Sequence, residues 1–239
     1  MAVSGTTDKM NFGTMPVFMT AISTILGAIL FLRFGYAIGH VGFIGVLGII
    51  ILGHLVAIPT ALAVAAIATN LRVQGGGAYY VSSRSFGLNI GGAIGITLYL
   101  SQAISVAFYM IAFAEAFDPV IQYVADNYGI LITDKRAISL PSMAILGILV
   151  LTRGANVGMK ALYVVVALLF LALTFFVLGK SEIAPSQINF TAKIANPDNF
   201  FYVFTIIFPA FTGLAAGLGL SGDLKDPQKS IPRGTIWAT

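Results

Sequence analysis

An all-α membrane protein is predicted, and three observations predict it. Of the 239 residues, 58% are hydrophobic and only 9% charged, whereas a soluble domain carries about 25% charged residues. Six stretches lack Asp, Glu, Lys and Arg altogether: 10–32, 34–71, 85–114, 137–152, 161–179 and 199–222. Each is a candidate for the roughly 20 apolar residues that cross a bilayer. The third observation is that the first and sixth stretches are interrupted at mid-depth by glycine, proline and hydroxyl residues.

The elements follow in chain order. Residues 1–15 form an N-terminal segment, and 16–222 a transmembrane domain of six helices at about 16–39, 43–69, 86–117, 137–152, 157–179 and 200–221. The second uncharged stretch is long for one span, but the turn His40-Val41-Gly42 separates the first helix from the second, and tilt accommodates the remainder. Residues 223–239 form a loop and the start of a seventh helix, because 234–239 turns apolar again after Pro232 as the chain stops. The first apolar stretch is too long for the core of a secretory signal, so it stays as a helix.

Orientation follows from the basic residues. With the N-terminus cytoplasmic, the inner segments hold Lys9, Arg72, Arg84, Arg153, Lys160, Lys225, Lys229 and Arg233, and the outer ones only Lys135, Arg136, Lys180 and Lys193. The positive-inside rule then favours a multi-pass protein of a plasma or inner cell membrane with its N-terminus inside. An extramembrane catalytic domain has no room. With no cysteine and only His40 and His54, disulfides and thiolate chemistry are excluded and no transition-metal site is expected. The net charge of +4 is spread over scattered residues, which argues against nucleic acid.

Bilayer interiors tolerate irregular backbone only where it is buried in protein or lines a cavity, so broken helices point to a site. The first helix carries Ser23, Thr24 and Gly27 within 21–29, and the sixth carries Pro209, Thr212, Gly213 and Gly217 within 209–217. Helices one and six are equivalent positions in a transporter built from two five-helix repeats, where paired interruptions mark a midplane site. Close packing explains either interruption alone; the pair favours a site. Freed carbonyls attract cations and freed N–H groups attract anions. Neither segment contains a carboxylate. A large, weakly hydrated monovalent cation therefore suits this chemistry better than magnesium or calcium.

Arg33 and Glu115 are the charges nearest to membrane depth, at the outer ends of the first and third helices. They read as an extracellular gate pair or as two side chains snorkelling separately. Tyr109 offers a phenolic oxygen at mid-depth, although a tyrosine there more often only packs. His54 reads as a buried, hydrogen-bonded side chain rather than a proton relay. The run from Gln74 to Tyr80, with three glycines, lacks the Lys-Ser/Thr ending of a phosphate loop and reads as a re-entrant turn or the start of an inner loop helix.

Three runs carry a family resemblance: GAILFLRFGYAIGHVG in the first helix, GGGAYYVSSRSFG in the inner loop and, above all, SGDLKDPQKSIPRGT at 221–235. They resemble the cation-chloride cotransporters of the amino acid-polyamine-organocation superfamily. The likeness covers most of helices one, two, three and six and weakens over 118–199. It implies the first repeat of a five-plus-five inverted-repeat fold plus the sixth helix, with helices one and six broken. By position it also implies a potassium site at Thr24, Ile25, Tyr109, Pro209 and Thr212, and chloride held by amides at Gly27, Ala28 and Ile29 and at Gly213, Leu214 and Ala215. Arg33 and Glu115 match an outer gate pair. Thr24 stands where relatives usually have asparagine, a hydroxyl in place of an amide. The long N-terminal regulatory segment of animal relatives has no counterpart, and a prokaryotic or otherwise minimal homologue is the inference.

The expected function is secondary cotransport of chloride with a monovalent cation, potassium first, by alternating access. No cofactor is expected beyond potassium and chloride as substrates; sodium is left open, lipid is the surrounding partner and a homodimer is a candidate assembly. The alternatives are an amino-acid or amine permease of the same superfamily, and a non-transporting half-transporter or accessory subunit. An enzyme is not expected, because no nucleophile with a base and no catalytic carboxylate cluster can be assembled.

Overall fold

The computed structural model describes residues 12–70, 75–180, 190–191 and 194–239, with the backbone alone of 153–157. Lys9, Arg72, Gln74 and Lys193 lie outside the described residues, as do the side chain of Arg153 and most of the N-terminal segment 1–15. Eight α-helices occur among the described residues.

The first expected span is two helices, α1 (Thr14–Ile25) and the beginning of α2 (Ala28–Asn70), parted at Leu26–Gly27. Helix α2 then runs on into the second span through Gly42, whose φ of 69° and ψ of 176° are non-helical. Only glycine adopts that conformation at no steric cost, which is why the turn falls there. Helix α3 (Gly77–Phe86) follows the turn at Gly75–Gly76, and Gly87, at φ 87°, separates it from α4 (Leu88–Glu115).

Residues 118–128, read from the sequence as part of a connection, form helix α5 (Asp118–Tyr128). Pro119 stands in its first turn and Gly129, left-handed at φ 68°, closes it with its N–H on Ala125 O at 3.0 Å. Helix α6 (Arg136–Leu178) covers both the fourth and fifth expected segments, as the apolar stretches Arg136–Thr152 and Gly158–Leu178. Helix α7 (Phe200–Ile207) is capped by Asn199, whose Oδ1 accepts the Tyr202 N–H at 2.9 Å. It tightens into a 3-10 turn at Phe208–Phe211, breaks at Thr212–Gly213 and resumes as a 3-10 helix at Leu214–Leu220. Helix α8 (Pro227–Ala238) begins five residues before the proline expected to precede it. Pro227 in its first turn suits a helix start, and Pro232 is accommodated inside.

Among the described residues, four stretches are long and apolar enough to cross a membrane: Thr14–Asn70, Leu88–Tyr128, Gly158–Leu178 and Phe200–Leu220. Their large side chains are widely exposed; Ile44 is 71% and Phe176 83% exposed. Apolar surface of that extent needs lipid or protein around it. The protein is thus an all-α, multi-pass membrane protein.

The chain forms two compact units, 1–25 with 52–94 and 211–239, and 26–51 with 95–210. It passes from one to the other at 25/26, 51/52, 94/95 and 210/211, the first and last of these beside the break in each interrupted helix.

In the first unit α1 packs on α8 and on the 3-10 helix Leu214–Leu220, which also meets α3. Val17, Ala68, Leu218, Leu224 and Ile231 form its core. Close approach depends on glycine: a Cβ on Gly217 would lie 2.5 Å from Val17 Cγ1, and one on Gly234 2.6 Å from the same atom. Phe12 pairs with the chain after the sixth span, its N–H on Asp223 O and its carbonyl accepting the Lys225 N–H, both at 3.0 Å. In the second unit, Phe190 accepts the Phe43 N–H at 3.0 Å, and Phe200 lies 3.4 Å from where a Cβ of Gly48 would be.

Candidate functional site

The break in the first helix has a local cause. Ser23 Oγ and Thr24 Oγ1 both donate to the carbonyl of Thr20, at 3.0 and 2.8 Å. Hydroxyls that bond back to the preceding turn loosen and bend a helix, and two residues beyond Ile25 the chain reaches Gly27. Because the Thr24 hydroxyl spends its proton on Thr20, its lone pairs remain available as acceptors.

Gly213 of the sixth-helix break lies against Thr24, near the end of α1, in the same unit. Gly213 has φ 92°, and a Cβ there would lie 2.4 Å from Thr24 Cγ2. Both the backbone conformation and the neighbour require glycine. Gly213 is the N-cap of Leu214–Leu220, with its carbonyl accepting the Ala216 N–H at 2.8 Å. The first amides of such a helix, those of Leu214 and Ala215, have no acceptor within it. Thr24, Ile25, Thr212, Gly213, Leu214 and Ala215 all belong to this unit, and Ile25 joins the cluster of Ala57, Ala61, Leu214 and Phe211.

The other expected residues belong to the second unit. Gly27 directly precedes α2, and Ala28 and Ile29 open it. Pro209 stands in the 3-10 turn Phe208–Phe211, one residue from the unit's boundary. Tyr109 lies on α4, 45% exposed, edge-on to Phe108 at 5.7 Å. Its exposure leaves the phenol accessible within that unit.

Arg33 and Glu115, also in the second unit, meet: Arg33 Nη2 donates to Glu115 Oε2 at 2.8 Å. Their side chains are 41% and 26% exposed, so the pair is partly solvated and worth at most about 1 kcal/mol. Its value is in position, tying the start of α2 to the end of α4.

His54 is half-buried in the first unit, edge-on to Phe211 at 5.3 Å, so it packs beside the sixth-helix break. The glycine run builds a helix start: Gly76 is left-handed at φ 113°, and a Cβ on Gly77 would lie 3.0 Å from Leu218 O. These glycines let α3 approach the backbone of the broken sixth helix. Among the described residues no group of three or more His, Asp or Glu could hold a metal ion. One polar cluster escaped the sequence reading: Tyr36 and His40, one turn apart on α2, meet Asp198 just before the cap of α7. The four-residue spacing was visible; that Asp198 would meet it was not.

Comparisons with known proteins agree on the kind of chain this is. The amino acid permease family model matches residues 16–239. Solute carrier family 12 member 1 of Mus musculus is 36% identical over 255 residues, covering 97% of this chain and 23% of that protein. Solute carrier family 12 member 2 of Homo sapiens is 37% identical over 242 residues, covering 93% of this chain and 19% of its own length. The corresponding protein of Danio rerio is 35% identical over 255 residues, covering 99% and 22%. These matches to solute carrier family 12 members agree with the resemblance of the 221–235 run to the cation-chloride cotransporters. The chain spans under a quarter of the length of the curated relatives it matches.

Proposed function

Because the chain belongs to the amino acid permease family, we propose that the protein it represents carries chloride across a membrane together with a monovalent cation, potassium first, by alternating access. The observation that carries this reading is the pair of carboxylate-free helix breaks, at Leu26–Gly27 and Thr212–Gly213. Breaks of that kind offer carbonyls and hydroxyls to a weakly hydrated cation and amides to an anion, in one membrane domain.

Thr24, Ile25, Tyr109, Pro209 and Thr212 are the proposed potassium ligands, through backbone carbonyls, hydroxyls and the phenol. Amides of Gly27, Ala28 and Ile29 and of Gly213, Leu214 and Ala215 are the proposed chloride donors. Arg33 and Glu115 act as an outer gate, with the N-terminus cytoplasmic. The direct Arg33–Glu115 hydrogen bond supports the gate, and the excess of basic residues in the inner segments supports the orientation.

The test is chloride-dependent rubidium uptake by the whole protein. Tyr109→Phe and Thr212→Ala each remove one oxygen and are expected to cut uptake about tenfold, the effect of losing roughly 1.4 kcal/mol of cation binding. Uptake unchanged in both variants would remove the site. The second reading is an amino-acid or amine permease, whose substrate carboxylate would occupy the same amides; the matching family description favours it. Substrate uptake indifferent to chloride would decide for that reading.

A further inference from the structure

The second unit holds a cluster of ionisable groups that ion binding does not use. Tyr36 and His40 are stacked on α2 with ring centroids 4.1 Å apart. The Tyr36 hydroxyl donates to Asp198 Oδ2. His40 Nδ1 accepts the backbone N–H of Asp198 at 2.9 Å, and the same nitrogen stands 3.1 Å from Asp198 Oδ2. Further contacts hold the same chain against α2. Phe190 accepts the Phe43 N–H and meets its ring edge-on at 5.8 Å, and Ile194 Cδ1 lies 3.2 Å from where a Cβ of Gly39 would be. Positions 36, 39 and 40 follow the spacing of one helix face, and Phe43 comes directly after the non-helical Gly42 at its end. Ile194 and Asp198 lie along that face and Phe190 at its end like a clasp, which closes one residue before the Asn199 cap of α7.

The groups facing His40 make this clasp sensitive to protons. Nδ1 accepts an N–H and so carries no proton, yet it faces a carboxylate oxygen, also an acceptor, at 3.1 Å. Two acceptors at that distance repel. Adding a proton to Nδ1 turns the repulsion into a charge-assisted hydrogen bond to Oδ2, about twice as strong as a neutral one, at the cost of the N–H bond. Tyr36, from the same helix, neutralises none of the carboxylate's charge. Tyr202, from α7, interacts electrostatically with Tyr36, and Arg33, one turn earlier on α2, is taken by Glu115 of α4. His40 is 13% exposed in its side chain and Asp198 40%, so protons reach the pair while the imidazole stays held.

We propose that Tyr36, His40 and Asp198 form a proton-operated clasp that fastens the chain ahead of α7 to α2 and tightens in acid. The clasp controls how freely the start of α7 moves, and through it the helix that contains Pro209. Its effect on transport, slower exchange in acid, rests on the cotransport reading.

The chain has no cysteine, so an Ala195→Cys variant can carry a single trifluoromethyl probe on an exposed residue beside the clasp. In the full chain in lipid nanodiscs, the fluorine spectrum reports clasped and released populations. The ratio of clasped to released is expected to rise at least about threefold between roughly pH 8 and pH 5.5, the range in which imidazole gains its proton. His40→Gln and Asp198→Asn should each abolish the response, while Tyr36→Phe, which keeps His40 and the carboxylate, should retain it. Equal ratios at both pH values in the parent chain, or a response that survives His40→Gln, would overturn the clasp. Rubidium uptake by the whole protein separates the two readings. Uptake with a pH-indifferent clasp sinks the clasp alone; a responsive clasp without chloride-dependent uptake supports the clasp and sinks the cotransport reading.

Discussion

Gly213 concentrates several demands on one residue. Its φ of 92° is a conformation that side-chain-bearing residues rarely adopt, and a Cβ would meet Thr24 Cγ2 at 2.4 Å. Gly213→Ala therefore combines backbone strain with overpacking, each worth about 1–3 kcal/mol. The expected outcome is a thermal unfolding midpoint several degrees lower in detergent, with Gly219→Ala, which meets nothing within 4 Å, unchanged or nearly so. A Gly213→Ala variant as stable as the parent would mean that Gly213 and Thr24 are not in contact. Thr24 is the complementary case. Its hydroxyl donates to Thr20 O at 2.8 Å and can accept only through its lone pairs. An asparagine there would bring a carbonyl oxygen free of that obligation, so Thr24→Asn is the substitution to compare with the parent when cation preference is measured.

At the scale of elements, α1 lies against the second half of the broken sixth helix and against α8 because glycines at 217 and 234 leave room for Val17, which is fully buried. Gly217→Ala should destabilise by about 1–3 kcal/mol, since Val17 Cγ1 would have to move. Val17→Ala removes that atom. The double variant is expected to lose less than the sum of the singles, with a coupling of about 0.5–3 kcal/mol read from a double-mutant cycle; strict additivity would show that Val17 and Gly217 do not touch. The sequence reading found Gly217 as part of an interruption and could not assign it or Gly234 a neighbour. It missed α5 for another reason. Residues 118–128 are polar enough to read as a loop, and a helix of this length with no buried residue depends on its proline start and glycine stop rather than on an apolar face. The start of α8 was placed late because apolar residues resume only after Pro232, whereas Pro227, five positions before that proline, already opens the helix.

For the whole molecule, the prediction that follows from basic-residue placement is sidedness. In the cysteine-free chain, Asp134→Cys is expected to react with a membrane-impermeant maleimide added outside intact cells, and Arg84→Cys to react only after permeabilisation. The reverse pattern would invert the proposed topology. Helical class, membrane residence and the two interruptions were legible in the sequence, because a helix that crosses a bilayer needs a long apolar run and irregular backbone within it is penalised. Family membership was legible too, since the 221–235 run is a continuous string of residues. Tertiary structure alone decided which distant residues meet. It set Thr24 against Gly213, Arg33 on Glu115, Val17 between two glycines, and Asp198 beside His40, 158 positions away. The physical reason is one of range. Hydropathy and backbone propensity act within a turn or a span and can be read locally, whereas hydrogen bonds and close packing depend on where the folded chain returns.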